Sequence, residues 1–494
     1  MQAGFFVKLF TCLRYGKKDE ELAMNKDRYH LTPLELIQNL MDADSLIELQ
    51  GAAKEANVVT GFGKVNGRRV YAFAHNFAVK GGSIDPSHAH KVISAMDMAL
   101  REGVPIVGFY HSVGARIQDG ILALDAVGKL FNYHVKLSGK VPQISVILGS
   151  CAGGAAYCPA LTDFIFMIEE ESQLFVTGPK VVRAITGEKS SVEELGGTEV
   201  HGKLSGISHF ESSDAESAIV GVKKLLSYLP QNYKEKPPRL VSCISTVYTN
   251  PAGAVPVESN RPYDIAKVIV GVVDKGSFFE VQKNFAKNVV IGFARFNGIS
   301  CGVLGNQPKH LAGTLDVDAS EKITRFIRIC AGFNLPIILF EDTVGFMPGV
   351  RQESKGLLRF GAEIVKAFAE ASIPKITIII RKAFGGAYIA LNSKAIGATR
   401  VYAWSTAEIG VMGIGAALNL LHKESSSAES LKRNLSQGMK ANLEMALSSG
   451  VIDEVIEPCE TRQKIIEAIE EFRKSGQRAV SNEIDCYAYE KNRG

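Results

Sequence analysis

Ala152-Gly-Gly-Ala-Ala-Tyr157 has a counterpart in Phe384-Gly-Gly-Ala-Tyr-Ile389, with Gly153 and Gly385 a distance of 385 − 153 = 232 apart. Each copy follows an apolar, β-rich run, residues 143–148 in the first case and 376–380 in the second. Each also leads into residues that can start a helix. A glycine pair between a buried strand and a helix permits a tight turn and lets a ligand come close to the backbone. It leaves the first N–H groups of the helix unpaired at its positive end, where they can hold an oxyanion. One isolated pair reads more simply as close strand–helix packing. Its repetition shifts the weight toward function.

The spacing holds elsewhere. Val58-Val59-x-Gly61-Phe62 matches Val289-Val290-x-Gly292-Phe293, and Ser112-Val113-Gly114 matches Thr343-Val344-Gly345, both 231 apart (289 − 58 and 343 − 112). Gly82 in FAVKGGS matches Gly313 in HLAGTL at the same separation (313 − 82). One residue of drift is what a duplicated domain shows. The chain therefore reads as two similar α/β domains, 31–235 and 263–494, with a Pro-, Asn- and Lys-containing linker at 236–262 and an extension at 1–30. Single cores rarely grow past roughly 250–300 residues, so two suit this length. Each half carries two glycine-bearing loops, enough for a two-amide oxyanion hole. Two such holes can bind two carbonyl compounds and pass a group between them.

Composition narrows the class. The chain is 46% hydrophobic and 22% charged, an ordinary globular balance. A net charge of +4 is too small to argue for nucleic acid. No apolar run approaches the roughly 20 residues of a membrane span. Lys8 interrupts the apolar start and no clear cleavage site follows, which argues against a signal peptide. Eight cysteines without a CxxC suit reduced thiols and a cytoplasmic location. Cys151 and Cys158, flanking the first turn, read as small buried hydrophobes.

Hairpins are expected at 58–77, turning at Asn66-Gly67, and at 289–306. Buried strands are expected at 105–110 and 336–340, and mostly helices after the second turn. There is no G-x-x-x-x-G-K-[ST] loop, no H-E-x-x-H and no paired CxxC. The one G-x-S-x-G, Gly298-Ile-Ser-Cys-Gly302, falls in a hairpin, whereas a hydrolase nucleophile needs a strand-to-helix turn. Glu341 and Asp342 are expected in a solvated loop at a strand end. What remains is carbonyl activation by backbone amides, without an evident side-chain base.

Longer motifs sharpen this reading. They are GARIQDG, SCAGGAAYCPALTDFIFM and FVTGPKVV in the first half, with NQPKHLAGTLDVDASEKITRFIR, GFMPG, RKAFGGAY and IGVMGIGAALNLL in the second. Together they resemble the carboxyltransferase (β) subunit of biotin-dependent acyl-CoA carboxylases, the propionyl-CoA carboxylase group. The resemblance implies an α/β fold of tandem duplicated crotonase-like domains. It implies transfer of a carboxyl group from carboxybiotin to the α-carbon of a short-chain acyl-CoA. Biotin would ride on a biotin carboxyl carrier protein charged by a biotin carboxylase. The Gly153 and Gly154 amides would hold the thioester oxygen of the coenzyme A substrate, and those of Gly386 and Ala387 the ureido oxygen of biotin. Biotin N1 would take the α-proton, which accounts for the missing base. Gly81, Gly82, Gly114, Ala115, Arg116, Gly313, Gly345 and Ile389 would line the substrate sites, with no metal. The resemblance also implies a homohexamer in which the first domain of one subunit faces the second domain of another.

The chain departs from the family at Val113, where Gly is usual, at Val344, where Pro is usual, and at Ile389, where propionyl-specific members commonly carry Asp. Acetyl-CoA or a longer acyl-CoA is therefore open beside propionyl-CoA. Met439-Lys440 is followed by Ala441, so the Met-Lys-Met of a biotin-carrying segment is missing and a separate carrier is expected. Two alternatives stand beside the carboxylase: a biotin-dependent decarboxylase running the exchange in reverse, and a non-catalytic scaffold that binds CoA or the carrier.

Overall fold

In the computed structural model, residues 31–49, 57–240, 249–414, 417–418, 438 and 441–475 are described. The extension at 1–30, part of the expected linker and the later part of IGVMGIGAALNLL lie outside them. The described strands form two eight-stranded sheets laid out in the same order. The first joins β1 (Ile47–Glu48), β2 (Val58–Val65), β3 (Arg68–His75), β4 (Ile106–Ser112), β5 (Gln143–Ala152), β6 (Phe164–Ile168) and β8 (Phe210–Ser212), with β7 (Gln173–Phe175) beside β5. The second joins β9 (Phe279–Val281), β10 (Val289–Phe296), β11 (Ile299–Asn306), β12 (Ile337–Thr343), β13 (Lys375–Phe384), β14 (Arg400–Trp404) and β16 (Glu454–Ile456), with β15 (Glu408–Gly410) beside β13.

Each sheet opens with an antiparallel hairpin, β2–β3 or β10–β11, and continues in parallel strands. The hairpins turn at Asn66-Gly67 and Asn297-Gly298, all four residues at positive φ, the mirror-image turn that suits a twisted ribbon. Asp42 accepts from the Asn66 and Gly67 N–H groups at 2.9 and 2.7 Å, and Asp274 does the same for Asn297 and Gly298 at 3.2 and 2.7 Å. Between the parallel strands run α1 (Pro86–Glu102) and α2 (Ile121–Leu137) in the first half. After β5 comes the short α3 (Gly154–Ala160). The second half repeats these as α4 (Val317–Gly332), α5 (Leu357–Glu370) and α6 (Gly385–Ala390). Parallel strands covered on both faces read as unbroken apolar runs, which is why β4 and β12 are buried throughout.

The halves share a core. Phe164 meets Phe293 edge-on at 5.8 Å, and Phe210 stacks on Phe279 at 4.7 Å. The expected linker is tied down where it is described: Ser300 N–H donates to Pro238 O at 3.0 Å and Leu240 N–H to Gly298 O at 2.9 Å. Ser300 is buried at the start of β11, with no helix after it, so the G-x-S-x-G is no nucleophile elbow. Among the described residues, no helix is long and apolar enough to cross a membrane.

Among the described residues, the segment after the second turn adds β14, β15 and β16 to the helices expected there. One expectation needs correction. Glu341 and Asp342 are not in a solvated loop, because β12 runs on to Thr343 between β11 and β13 and buries both. Asp342 is compensated there by Arg381, whose Nε donates to it at 2.9 Å while Nη1 donates to the carbonyls of Glu258 and Arg261. Removing one partner of a buried ion pair leaves the other charge without compensation. Arg381→Met should therefore lower the unfolding free energy by roughly 3–5 kcal/mol in urea denaturation. A loss below about 1 kcal/mol, the size of an exposed pair, would contradict this.

Candidate active site

Both glycine turns form where a strand changes neighbour. β5 pairs with β6 over Ile144–Ile147 and then with β7 over Ser150–Ala152. β13 likewise pairs with β14 and then with β15, ending at Phe384 beside Gly410. The chain then reverses through Gly153 (φ 56°) or Gly385 (φ 60°), a left-handed conformation that glycine adopts without strain. Gly153 N–H extends the β7 ladder by donating to Phe175 O at 3.1 Å. It is therefore not available to a ligand. The Ala156 and Tyr157 N–H groups close back onto Gly153 O. Gly154 and Ala155 remain at the start of α3, with no helical carbonyl to accept from them. The amides left without an acceptor among the described residues at the first turn are thus those of Gly154 and Ala155, one residue later than the Gly153–Gly154 pair the resemblance implied. This pair corresponds to Gly386 and Ala387 in the second, at 386 − 154 = 232.

Two loops tie together beside each turn. In the first half the Ser112 hydroxyl donates to Gly82 O at 2.7 Å, Val113 N–H to Gly81 O at 3.1 Å, and Ile84 N–H to Gly114 O at 2.9 Å. Ala115 bridges Ile84, and Arg116 lies between Asp85 and Asp119 at 3.5 and 3.7 Å. In the second half the Thr343 hydroxyl donates to Gly313 O at 2.9 Å and Leu315 N–H to Gly345 O at 3.1 Å. Gly82 and Gly313 donate their own N–H groups within these loops, to Val79 O and His310 O. Their part is close packing: a Cβ on Gly82 would collide with the His111 carbonyl, and one on Gly313 would sit 2.7 Å from Asp342 O.

The two helix-initial glycines differ. A Cβ on Gly154 would meet Val127 Cγ1 of α2 at 2.6 Å, so packing alone demands glycine there. At Gly386 the nearest atoms are Phe346 ring carbons at 3.9 Å, an ordinary contact. Among the described residues, packing does not require glycine at 386.

The carboxyl transferase domain family matches residues 25–481. The chain belongs to that family. The propionyl-CoA carboxylase carboxyltransferase subunit of Haloferax mediterranei is 43% identical over 474 residues, 91% of this chain and 92% of that one. The methylmalonyl-CoA decarboxylase subunit alpha of Veillonella parvula is 42% identical, covering 89% of both chains. Among solved structures, the transcarboxylase 12S hexamer with methylmalonyl-coenzyme A and methylmalonic acid bound superposes with a TM-score of 0.85 at 41% identity, covering 90% of both chains. This chain is accordingly a biotin-dependent carboxyltransferase with the tandem crotonase-like fold of its family.

Side chains around the carboxyltransferase turns are poor acid–base groups. Burial pushes the His88 and His111 imidazoles down to about 4 and holds His75 well below the ordinary range. The Cys151 and Cys158 thiols are buried, unbridged and pushed up to about 12. Sequence reading missed Val127, Phe346 and the Glu341–Tyr388 neighbourhood, since only the fold brings these to the turns. Spacing alone would have paired Tyr388 with Ala156 (388 − 156 = 232) and exposed the difference.

Glu341 is the outlier. Its carboxyl is buried, and both oxygens lack a hydrogen-bond partner among the described residues. Burial, with the Asp342 charge beside it, holds its pKa well above the usual carboxyl range. A carboxyl raised on folding favours the native state below its unfolded pKa and costs stability as pH rises toward the folded value. Glu341→Gln should therefore gain thermal stability over the wild type, and gain more at pH 8 than at pH 5. An equal difference at both pH values would show that Glu341 does not titrate on unfolding.

Proposed function

We propose that this chain moves a carboxyl group between carboxybiotin, carried on a separate protein, and the α-carbon of a short-chain acyl-CoA. The observation that carries this is the duplicated strand-to-helix turn with a free amide pair in each half. Its glycine at 386 is left open on the side where a ligand would approach. The propionyl-CoA carboxylase, methylmalonyl-CoA decarboxylase and transcarboxylase relatives point to the propionyl/methylmalonyl pair as substrate class. The same exchange in reverse would make the chain a decarboxylase subunit, and the Veillonella relative supports that direction nearly as well.

In this mechanism the Gly154 and Ala155 amides stabilise the thioester oxygen as it becomes an enolate. The Gly386 and Ala387 amides polarise the biotin ureido oxygen. Carboxybiotin supplies the carboxyl group and, once relieved of it, the base for the α-proton. Gly81, Gly82, Gly114, Ala115 and Arg116 shape the acyl-CoA side, while Gly313 and Gly345 shape the biotin side. Ile389, half exposed one turn into α6, contributes to acyl preference. Losing one oxyanion donor typically costs roughly 10²–10³ in rate.

The domains divide in this reading at 31–235 and 263–494, and the site is completed by a second copy. Large apolar side chains stand exposed beside both turns: Val176 at 62% next to Gly153 and Val411 at 84% next to Gly385. Such patches mark interaction surfaces. The 12S relative is a hexamer. A biotin carboxylase and a biotinylated carrier are the further partners.

The test is incorporation of labelled bicarbonate into propionyl-CoA, acetyl-CoA and a longer acyl-CoA with ATP, biotin carboxylase and biotinylated carrier present. The wild type should fix label only when those partners are added, and Gly386→Val should lose at least about 10²-fold while remaining folded. Label fixed by the pure chain alone, or undiminished turnover by Gly386→Val, would overturn the reading.

A further inference from the structure

Glu341 and Tyr388 occur together in one half only. β12 and β4 correspond at a separation of 231, so Glu341 stands where the first half has Tyr110 (341 − 110). Tyr388 stands where the first half has Ala156. Beneath the first turn the aromatic hydroxyl thus comes from the strand. Tyr110 Oη lies 3.5 Å from His134 Nε2, and His134 Nδ1 lies 2.8 Å from Gln143 Oε1. Beneath the second turn the hydroxyl comes from the helix. The place of His134 is taken by Val365 (365 − 134 = 231), which offers no polar partner.

Strand alternation fixes the direction of Glu341. Ile337 and Leu339 of β12 pack into the core that also holds Ala387 and Ala390 of α6 and Ile364 of α5. Glu341, two residues on and before the shift in register, shares their face. The Tyr388 hydroxyl is buried and, like both Glu341 oxygens, has no partner among the described residues. α6 packs against β12 over the face that carries Glu341, and burial, with Glu341 as the lesser cause, raises the Tyr388 phenol to about 12. An unmade hydrogen bond is costly at either group. A neutral carboxylic acid can both donate and accept, as a phenol can, so one water molecule between them can satisfy both.

We propose that Glu341, as the neutral acid, is a positioning residue for the biotin-side turn. Linked to Tyr388 through one water molecule, it fixes the first turn of α6 and so aims the Gly386 and Ala387 amides. This inference rests on the carboxyltransferase reading above. The link acts on one hole only. The acyl-CoA side has its own, chemically different support in Tyr110, His134 and Gln143.

The test uses full-length protein and transfer of carboxyl from methylmalonyl-CoA to free biotin, with KM for each substrate and kcat measured separately. Glu341→Val should raise the biotin KM or lower kcat by about tenfold or more through misplacement of the turn, leaving the thioester KM unchanged. Glu341→Gln, which keeps a neutral donor and acceptor, should stay within about twofold of wild type. Tyr388→Phe should resemble Glu341→Val, and the double variant should be no worse than the poorer single. Were Glu341→Val unstable, Glu341→Gln and Tyr388→Phe would still carry the comparison. Wild-type kinetics in Glu341→Val or Tyr388→Phe, equal shifts in both KM values, or additive effects in the double variant would overturn the inference alone. A wild type that transfers no carboxyl group at all would overturn the carboxyltransferase reading and this inference with it.

Discussion

The hydrogen bond from Gly153 N–H to Phe175 O decides which amides of the first turn are left over. It prolongs the parallel ladder one residue past β5, so the chain reverses with its last sheet donor already used. The next two amides are then the first of a helix, and no helical carbonyl can reach them. A catalytic side chain at this position would have to be desolvated and tuned. Two backbone N–H groups need neither, because the sheet on one side and the helix on the other hold them in place. The change of strand partner from β6 to β7, repeated from β14 to β15, is what brings the turn clear of the sheet.

Duplication gives two such turns, but they have diverged in what supports them. Gly154 is held against Val127, so its glycine is a packing requirement whatever else it does. Among the described residues, Gly386 faces only Phe346 at contact distance. The polar groups beneath differ as well, with Tyr110, His134 and Gln143 under one turn and Glu341 and Tyr388 under the other. Two turns of one ancestry can therefore be tuned separately, which the proposed reaction between two different carbonyl compounds would use.

Much of this was legible in the residues. The constant separation of Val58 from Val289 and of Gly153 from Gly385 disclosed the repeat, and Asn66-Gly67 and Asn297-Gly298 disclosed the hairpins through turn chemistry that only a few residue pairs satisfy. Three things were not legible. Which amide of the Gly-Gly pair is free depends on a long-range bond to Phe175, and no local pattern encodes it. Glu341 and Asp342 looked like loop residues because acids are rarely buried. Asp342 is compensated by Arg381, thirty-nine positions away. Composition placed the linker but not its contacts: Pro238 and Leu240 bond to β11 and its turn.

The central claim is that the two amide pairs receive two different oxygens, and a structure with both substrates bound tests it most directly. Crystals of the protein with a methylmalonyl-type CoA thioester and biotin should place the thioester carbonyl oxygen about 3 Å from the nitrogens of Gly154 and Ala155. The biotin ureido oxygen should lie at the same distance, about 3 Å, from those of Gly386 and Ala387. A thioester oxygen bound away from the Gly154–Ala155 pair, or a ureido oxygen held by side chains instead of the second turn, would contradict the account.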